Sequence, residues 1–201
     1  MKRTVILGVV GLVVVVVVAV GWWYLSLRRA AVEWEGPLKE IASEKMEKSG
    51  DTWHIEFQTL FDAQVDRVYE AYSQPERAHE FEPDRVLASE LKSSSGDKKV
   101  VEIRARVLNL PIQRLIIEYT LDPKAKHITT RTLDYNMADI ASRYEFEGSP
   151  DGKRTLLKFT ETSKDKLGNP LPESVQRGAH KESYVTGVRA VNKALGIFPS
   201  P

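Results

Sequence analysis

The side chains best suited to metal binding or acid–base chemistry lie far apart along this chain. The 201 residues include no cysteine and four histidines, which are His54, His79, His127 and His180. None of them has the spacing of a metal-binding motif, and the chain has no glycine-rich phosphate loop or nucleophile elbow. We therefore expect surface or helix-capping histidines, and neither a metal nor a cofactor.

The inward faces of the predicted strands are more informative, because polar side chains interrupt them. The alternation that turns Val101, Ile117 and Phe159 inward also turns six polar residues to the same side. These are Tyr119, Thr130, Thr132, Ser142, Tyr144 and Glu161. A fully packed core disfavours so many hydroxyls, since each buried one needs a partner, whereas a ligand cavity accommodates them. Hydroxyls that bond to one another or to water at the sheet edge explain the pattern equally well.

The side chains that would contact a ligand follow from this strand face and from the last helix. We predict contacts from Tyr119, Thr130, Tyr144, Phe159, Val185 and Val188. Catalysis on the ligand would require an acid or base with a shifted pKa inside the cavity. Only Glu161 and Tyr144 could supply it, and their spacing distinguishes neither. No catalytic residue is therefore assigned, and binding is favoured over catalysis.

The strands and helices that position these side chains are predicted from the periodicity of the sequence. A half-buried strand begins at Thr52, where apolar and polar residues alternate. Two short helices follow, one over residues 62–72 with Asp62 as its N-cap and one over residues 75–83. Six strands joined by turns extend to about residue 162, and a long amphipathic helix ends near Leu195. An antiparallel sheet with one apolar face needs a cover, which this helix supplies.

The first 29 residues predict a transmembrane helix. An apolar run over residues 5–27 lies between basic pairs, and about 20 apolar residues suffice to cross the hydrocarbon core. Trp22, Trp23 and Tyr24 lie at its far end, where aromatic rings favour the headgroup region. A cleaved signal peptide with a site at residues 19–21 is the alternative. The length of the run and the bulk of Trp22 favour an uncleaved anchor in the lipid bilayer.

Charge and composition bear on orientation and partners. The short basic N-terminal tail favours an N-in, C-out single-pass protein with an extracytoplasmic domain. The absence of cysteine is compatible with that compartment. Lysine plus arginine number 29 and aspartate plus glutamate 28, so no basic surface points to nucleic acid. The oligomeric state is left open by the sequence.

Four segments follow from these patterns. Residues 1–29 form the anchor, residues 30–51 a juxtamembrane connector that is partly helical after Pro37, residues 52–196 the ligand-binding domain, and residues 197–201 a tail. About 170 residues outside the anchor suit one domain with a sizeable core.

The domain resembles the helix-grip superfamily of StAR-related lipid-transfer domains, polyketide cyclases and birch-pollen-allergen-like proteins, also called SRPBCC-type domains. The resemblance covers residues 52–195 and rests mainly on the order of elements. It also rests on the final helix after Pro170-Leu-Pro and on the opening segment Phe57-Gln-Thr-Leu-Phe-Asp-Ala-Gln-Val-Asp-Arg-Val-Tyr-Glu-Ala-Tyr-Ser-Gln-Pro-Glu-Arg. The family often has a tryptophan shortly afterwards, where this chain has Phe81-Glu-Pro83.

The resemblance implies an α+β helix-grip fold, in which a curved antiparallel sheet of about seven strands wraps around the long helix and leaves an apolar cavity. Family members bind lipids, sterols, polyketides or other hydrophobic molecules, and a minority catalyse reactions on them. The expected function is a membrane-tethered binding protein for a hydrophobic, lipid-like small molecule. A cyclase, dehydratase or hydrolase that uses the same cavity is the alternative, as is an accessory domain that binds no ligand.

Overall fold

The computed structural model describes Trp34, Gly36, residues 38–166 and residues 171–197. The chain divides into two units, Met1–Gly36 and Pro37–Pro201, and the elements below belong to the second. No helix in the described part of the chain is both long and apolar enough to cross a membrane. The predicted anchor at residues 5–27 lies outside the described residues and stays a prediction.

Eight antiparallel strands form one curved sheet, in the order β1-β2-β8-β7-β6-β5-β4-β3. The strands are β1 (Ser43–Ser49), β2 (Thr52–Phe61), β3 (Val86–Ser95), β4 (Lys98–Ala105), β5 (Gln113–Asp122), β6 (His127–Asp134), β7 (Ala138–Gly148) and β8 (Thr155–Asp165). The helices are α1 (Val65–Tyr72), a 3-10 turn (Pro75–Arg77), α2 (Ala78–Phe81) and the long α3 (Glu173–Leu195). This is the predicted order of elements, with one strand added at the front.

The added strand, β1, replaces the helix predicted within the connector. It pairs antiparallel with β2, and Met46 lies opposite Ile55. Gly50 adopts a left-handed conformation (φ 62°) that permits the tight turn between the two strands. Within β1 only Met46 is buried, so its sequence carries almost no period-two signal. The edge of β2, rather than local propensity, selects the strand conformation.

The start of α1 also differs from the prediction. The helix begins at Val65 after Gln64, and no side chain caps it. The predicted N-cap, Asp62, lies near the solvent and pairs with Arg154 at 3.5 Å. Its neighbour Ala63 is buried, and the Ala63 carbonyl accepts a hydrogen bond from the Thr155 hydroxyl at 2.7 Å. This contact with β8 holds the chain out of the helical conformation, so the helix begins two residues later than predicted.

The strand register confirms the predicted inward face. Thr130 pairs with Ser142, and Ser142 pairs with Glu161, so these polar residues share one face across three strands. The apolar core lies on the same face. Phe57 pairs with Phe159 in the adjacent strand, and their rings stack at 6.1 Å between centroids. Thr130, Ser142 and Glu161 therefore form a polar row across three strands, and the apolar pair of Phe57 and Phe159 lies beside that row on the same face.

Candidate ligand-binding cavity

A cavity of about 640 Å³ lies on the inner face of the sheet, bordered by α1, the short helices and α3 as well as by strands. Its strand wall is aliphatic, with Ile103 on β4 and Leu115 and Ile117 on β5. These three side chains are only half-buried in the folded chain. A volume in this range suits a small molecule, because most ligand sites measure a few hundred to a thousand Å³.

The cavity borders no residue of β2, because aromatic side chains fill the inner face there. Trp53 and Phe57 on β2, Phe159 on β8 and Tyr184 on α3 are all buried. The Phe159 and Tyr184 rings lie 5.0 Å apart, and Phe57 lies 4.8 Å from Tyr184. Beside β4 and β5 most of the inward residues are aliphatic and shorter, so space under α3 is left unfilled.

Four tyrosines border the cavity, and three of them lie on helices or strands: Tyr72 on α1, Tyr119 on β5 and Tyr144 on β7. The fourth, Tyr135, lies between β6 and β7. The Tyr72 and Tyr144 rings are 5.5 Å apart. Burial raises the pKa of the Tyr72, Tyr119 and Tyr144 phenols, so each stays protonated and able to donate a hydrogen bond. The Tyr72 hydroxyl is buried without a hydrogen-bond partner among the described residues. Such an orphan costs about 1–3 kcal/mol, which a polar ligand atom would offset.

His180 in the cavity wall is paired with Glu161, which borders the smaller groove beside it. His180 Nδ1 on α3 lies 2.8 Å from Glu161 Oε1 on β8, and their side chains are 16% and 14% exposed. The Ser142 hydroxyl donates to the other carboxylate oxygen of Glu161 at 3.3 Å. His180 borders the cavity and its ring centroid lies 5.6 Å from that of Trp53. The pair could therefore hold or move a proton on a ligand in the cavity.

Gln176 ties the first half of α3 to the sheet beside this pair. Its side-chain oxygen accepts hydrogen bonds from Trp53 Nε1 and Lys48 Nζ, both at 2.8 Å. Its amide nitrogen donates to the Leu171 carbonyl at 2.7 Å. Lys48 also pairs with Asp165 at 3.0 Å. Both Gln176 and Asp165 border the cavity, so this network holds one end of its wall in place.

The loop between β4 and β5 packs against α3 at Gly178. A Cβ atom at Gly178 would lie 3.3 Å from Leu108 Cδ1, which is tighter than an ordinary contact. Leu108 has a left-handed backbone (φ 52°), and its neighbours Val107 and Leu110 border the cavity. Gly178 therefore serves close packing of the loop on the helix.

The six residues predicted to contact a ligand fall into three groups. Tyr119 and Tyr144 border the cavity, and the structure brings them to one wall with the half-buried aliphatic residues. Phe159, Val185 and Val188 belong to the packed core instead. Thr130 shares the inner face but borders only a smaller groove of about 260 Å³, together with Ser142 and Glu161.

His180 and Tyr72 are the functional candidates that the sequence reasoning missed. The expectation that every histidine lies at the surface or caps a helix is wrong for His180, which is mostly buried against Glu161. The spacing of His180, Tyr184 and Val188 at four-residue intervals places all three on one side of α3, and this signal was available. Glu161 was named from the sequence as a possible acid or base, but its partner His180 lies 19 residues away in another element.

Within residues 38–166 and 171–197, no group of three or more acidic or histidine side chains is arranged to hold a metal ion. The polar lining of the cavity consists of one histidine, several hydroxyls, three glutamines, three carboxylates and four arginines, which suits hydrogen bonding.

Comparisons with known proteins define the structural class. No family model matches the chain, and no curated protein matches it. The Zhui aromatase/cyclase from Streptomyces sp. R1128 has a TM-score of 0.61 and 19% identity, over 72% of this chain and 92% of that one. A START superfamily protein from Mycobacterium smegmatis has a TM-score of 0.59 and 13% identity, over 71% and 97% of the two chains.

A plant protein extends the comparison. Ginseng major latex-like protein 151 from Panax ginseng has a TM-score of 0.57 and 12% identity, over 76% of this chain and all of that one (100%). At such identities the similarity shows the fold. The domain has the START-like helix-grip fold, which confirms the α+β architecture predicted from the sequence.

Proposed function

We propose that this chain is a membrane-tethered binding protein for a hydrophobic, lipid-like small molecule held between the sheet and α3. The observation that carries the proposal is the cavity of about 640 Å³, with its aliphatic wall and unpartnered phenol. Each ligand methylene buried there gains about 0.8 kcal/mol from desolvation. The tyrosines and the His180–Glu161 pair would orient the polar part of the ligand.

The tether is the second part of the proposal. Residues 5–27 would cross the bilayer with the N-terminus inside, and the domain would stand on the extracytoplasmic side. A tether of this kind raises the effective concentration of a membrane-derived ligand at the cavity without any additional contact. Support for it comes from the sequence of the first 29 residues.

The experiment that tests binding is native mass spectrometry of the full chain, purified from host membranes, followed by solvent extraction. We expect a stoichiometric apolar compound. The matched variants are Ile117→Trp, which fills space beside the aliphatic wall, and Ile112→Trp, which makes the same change at a side chain that is 56% exposed. Only Ile117→Trp should lose the compound. A clean apo mass with no uptake from a host lipid extract would contradict binding and favour an accessory domain.

Enzymatic activity is the second candidate, and the His180–Glu161 contact of 2.8 Å favours it. A histidine held by a carboxylate can act as a general base, as a cyclase, dehydratase or hydrolase requires. One similar structure is an aromatase/cyclase by name. If the extracted compound changes mass on incubation with the protein, and His180→Gln abolishes that change, the cavity is catalytic.

A further inference from the structure

We infer that the cavity takes a ligand that carries a hydroxyl group, a long-chain or ring alcohol, and that His180 and Ser163 hold this hydroxyl. The inference rests on the proposed binding function and specifies the class of ligand. Both residues border the cavity, one on α3 and the other on β8.

One ring nitrogen of His180 is left for a ligand. Nδ1 lies 2.8 Å from a carboxylate oxygen of Glu161, so Nε2 is the nitrogen that can meet a ligand in the cavity. A hydroxyl suits Nε2 whether that nitrogen donates or accepts, because a hydroxyl can do both.

Ser163 supplies the complementary group. Its side chain is almost fully buried (1% exposed), and its hydroxyl has no hydrogen-bond partner among the described residues. Ser163 is paired with Trp53 in the strand register, and the Trp53 ring lies 5.6 Å from the ring of His180. Both polar groups therefore lie beside the same indole. A ligand hydroxyl that reaches both could form one hydrogen bond with Nε2 and another with the Ser163 hydroxyl.

Glu161 disfavours a carboxylate ligand at this position. It lies on the same strand face as Ser163, two residues away, and its partners among the described residues are His180 and Ser142. The cations Lys48 and Arg177 lie 5.3 Å from the centre of the Trp53 ring, where Lys48 pairs with Asp165 and Arg177 donates to the Met46 carbonyl. An anionic head group would face this carboxylate at close range, whereas a neutral hydroxyl would not. A plain hydrocarbon would leave the buried Ser163 hydroxyl unpaired.

The test of position uses the full chain with Trp22, Trp23 and Trp34 replaced by phenylalanine, which leaves Trp53 as the single tryptophan of the original four. The probes are 2-bromohexadecan-1-ol and 16-bromohexadecan-1-ol, with bromine next to the hydroxyl or at the far end. We expect the first to quench Trp53 fluorescence at least threefold more than the second at saturation. Equal quenching, or the reverse order, would overturn the assignment.

The test of chemistry compares hexadecan-1-ol, palmitate and 1-bromohexadecane. We expect palmitate to bind at least tenfold more weakly than the alcohol, and Ser163→Ala to weaken alcohol binding about fivefold. The same variant should leave 1-bromohexadecane unaffected, and Ser94→Ala, at an exposed serine, should change nothing.

The outcomes separate the inference from the function on which it rests. Palmitate that binds as tightly as the alcohol, or a Ser163→Ala variant with unchanged alcohol affinity, overturns the inference and leaves hydrophobic binding standing. Absence of binding by all three probes, measured by native mass spectrometry, overturns both.

Discussion

Replacement of Gln176 by methionine should destabilise the fold while the helix itself remains intact. The glutamine amide makes three hydrogen bonds, with Trp53 Nε1, Lys48 Nζ and the Leu171 carbonyl. Methionine has a similar length and a similar helix propensity, so the change isolates these bonds. The Trp53 side chain is fully buried, and its indole N–H would lose its partner.

The expected loss is about 2–4 kcal/mol in the free energy of unfolding. A buried, unsatisfied donor accounts for about 1–3 kcal/mol, and the Leu171 contact for about 1 kcal/mol. The Lys48 contact adds little, because the ammonium keeps its partner Asp165 at 3.0 Å and about a fifth of its side chain is exposed.

The assay is urea unfolding of the full chain in non-ionic detergent, followed by circular dichroism. Gln64→Met is the control, since Gln64 is exposed and makes no cap hydrogen bond at α1. The double variant with Trp53→Phe separates the indole contact from the rest, and we expect a coupling of about 1 kcal/mol or more. A loss below about 0.5 kcal/mol for Gln176→Met, or additive effects in the double variant, would refute the reasoning.

Four further substitutions test other parts of the structure. Gly187→Ala should raise the free energy of unfolding by about 1 kcal/mol, because the added methyl has no neighbour within 4 Å and alanine favours the helix. Gly178→Ala should gain less, since its methyl would meet a loop side chain at 3.3 Å; equal gains would contradict the packing. Ser163→Ala should leave the melting temperature unchanged or raise it, because the buried hydroxyl has no partner to lose among the described residues, and a fall would contradict this. The hydrogen bond from Arg114 lowers the pKa of Glu102 from 4.5 to about 2. The contribution of the ionised Glu102 to folding stability is therefore complete above pH 4.5 and declines as the pH falls toward 2. Glu102→Gln should lower the melting temperature at pH 6, by a margin that narrows below pH 4.5, and a margin that is constant with pH would contradict the ion pair.

Most strands were predictable because their signal is local. A strand turns alternate side chains to opposite faces whatever its partners are, so the inward direction of Tyr119, Thr130 and Glu161 followed from their parity in the sequence. The exception, Ser43–Ser49, has only one buried side chain, and its conformation comes from pairing with the next strand. A local pattern could not reveal it.

Half of the predicted ligand contacts were placed wrongly for a different reason. Phe159 shares the inner face of the sheet with Tyr144, and Val188 lies on α3, yet both belong to the packed core rather than to the cavity wall. Which part of an apolar face is filled depends on the side chains brought together from several elements, and on their volumes. The periodicity of a single element carries no information about the combined volume of side chains from several elements.

By itself the sequence determined the order of the predicted elements, the apolar side of each and the polar residues on the inner face, because these depend on the backbone repeat of strand and helix. Tertiary structure alone decided where the cavity lies, that His180 meets Glu161, and that the hydroxyls of Tyr72 and Ser163 have no partner within the described residues. Each of these depends on distances between side chains far apart in the chain, and the packing of α3 across the sheet sets those distances.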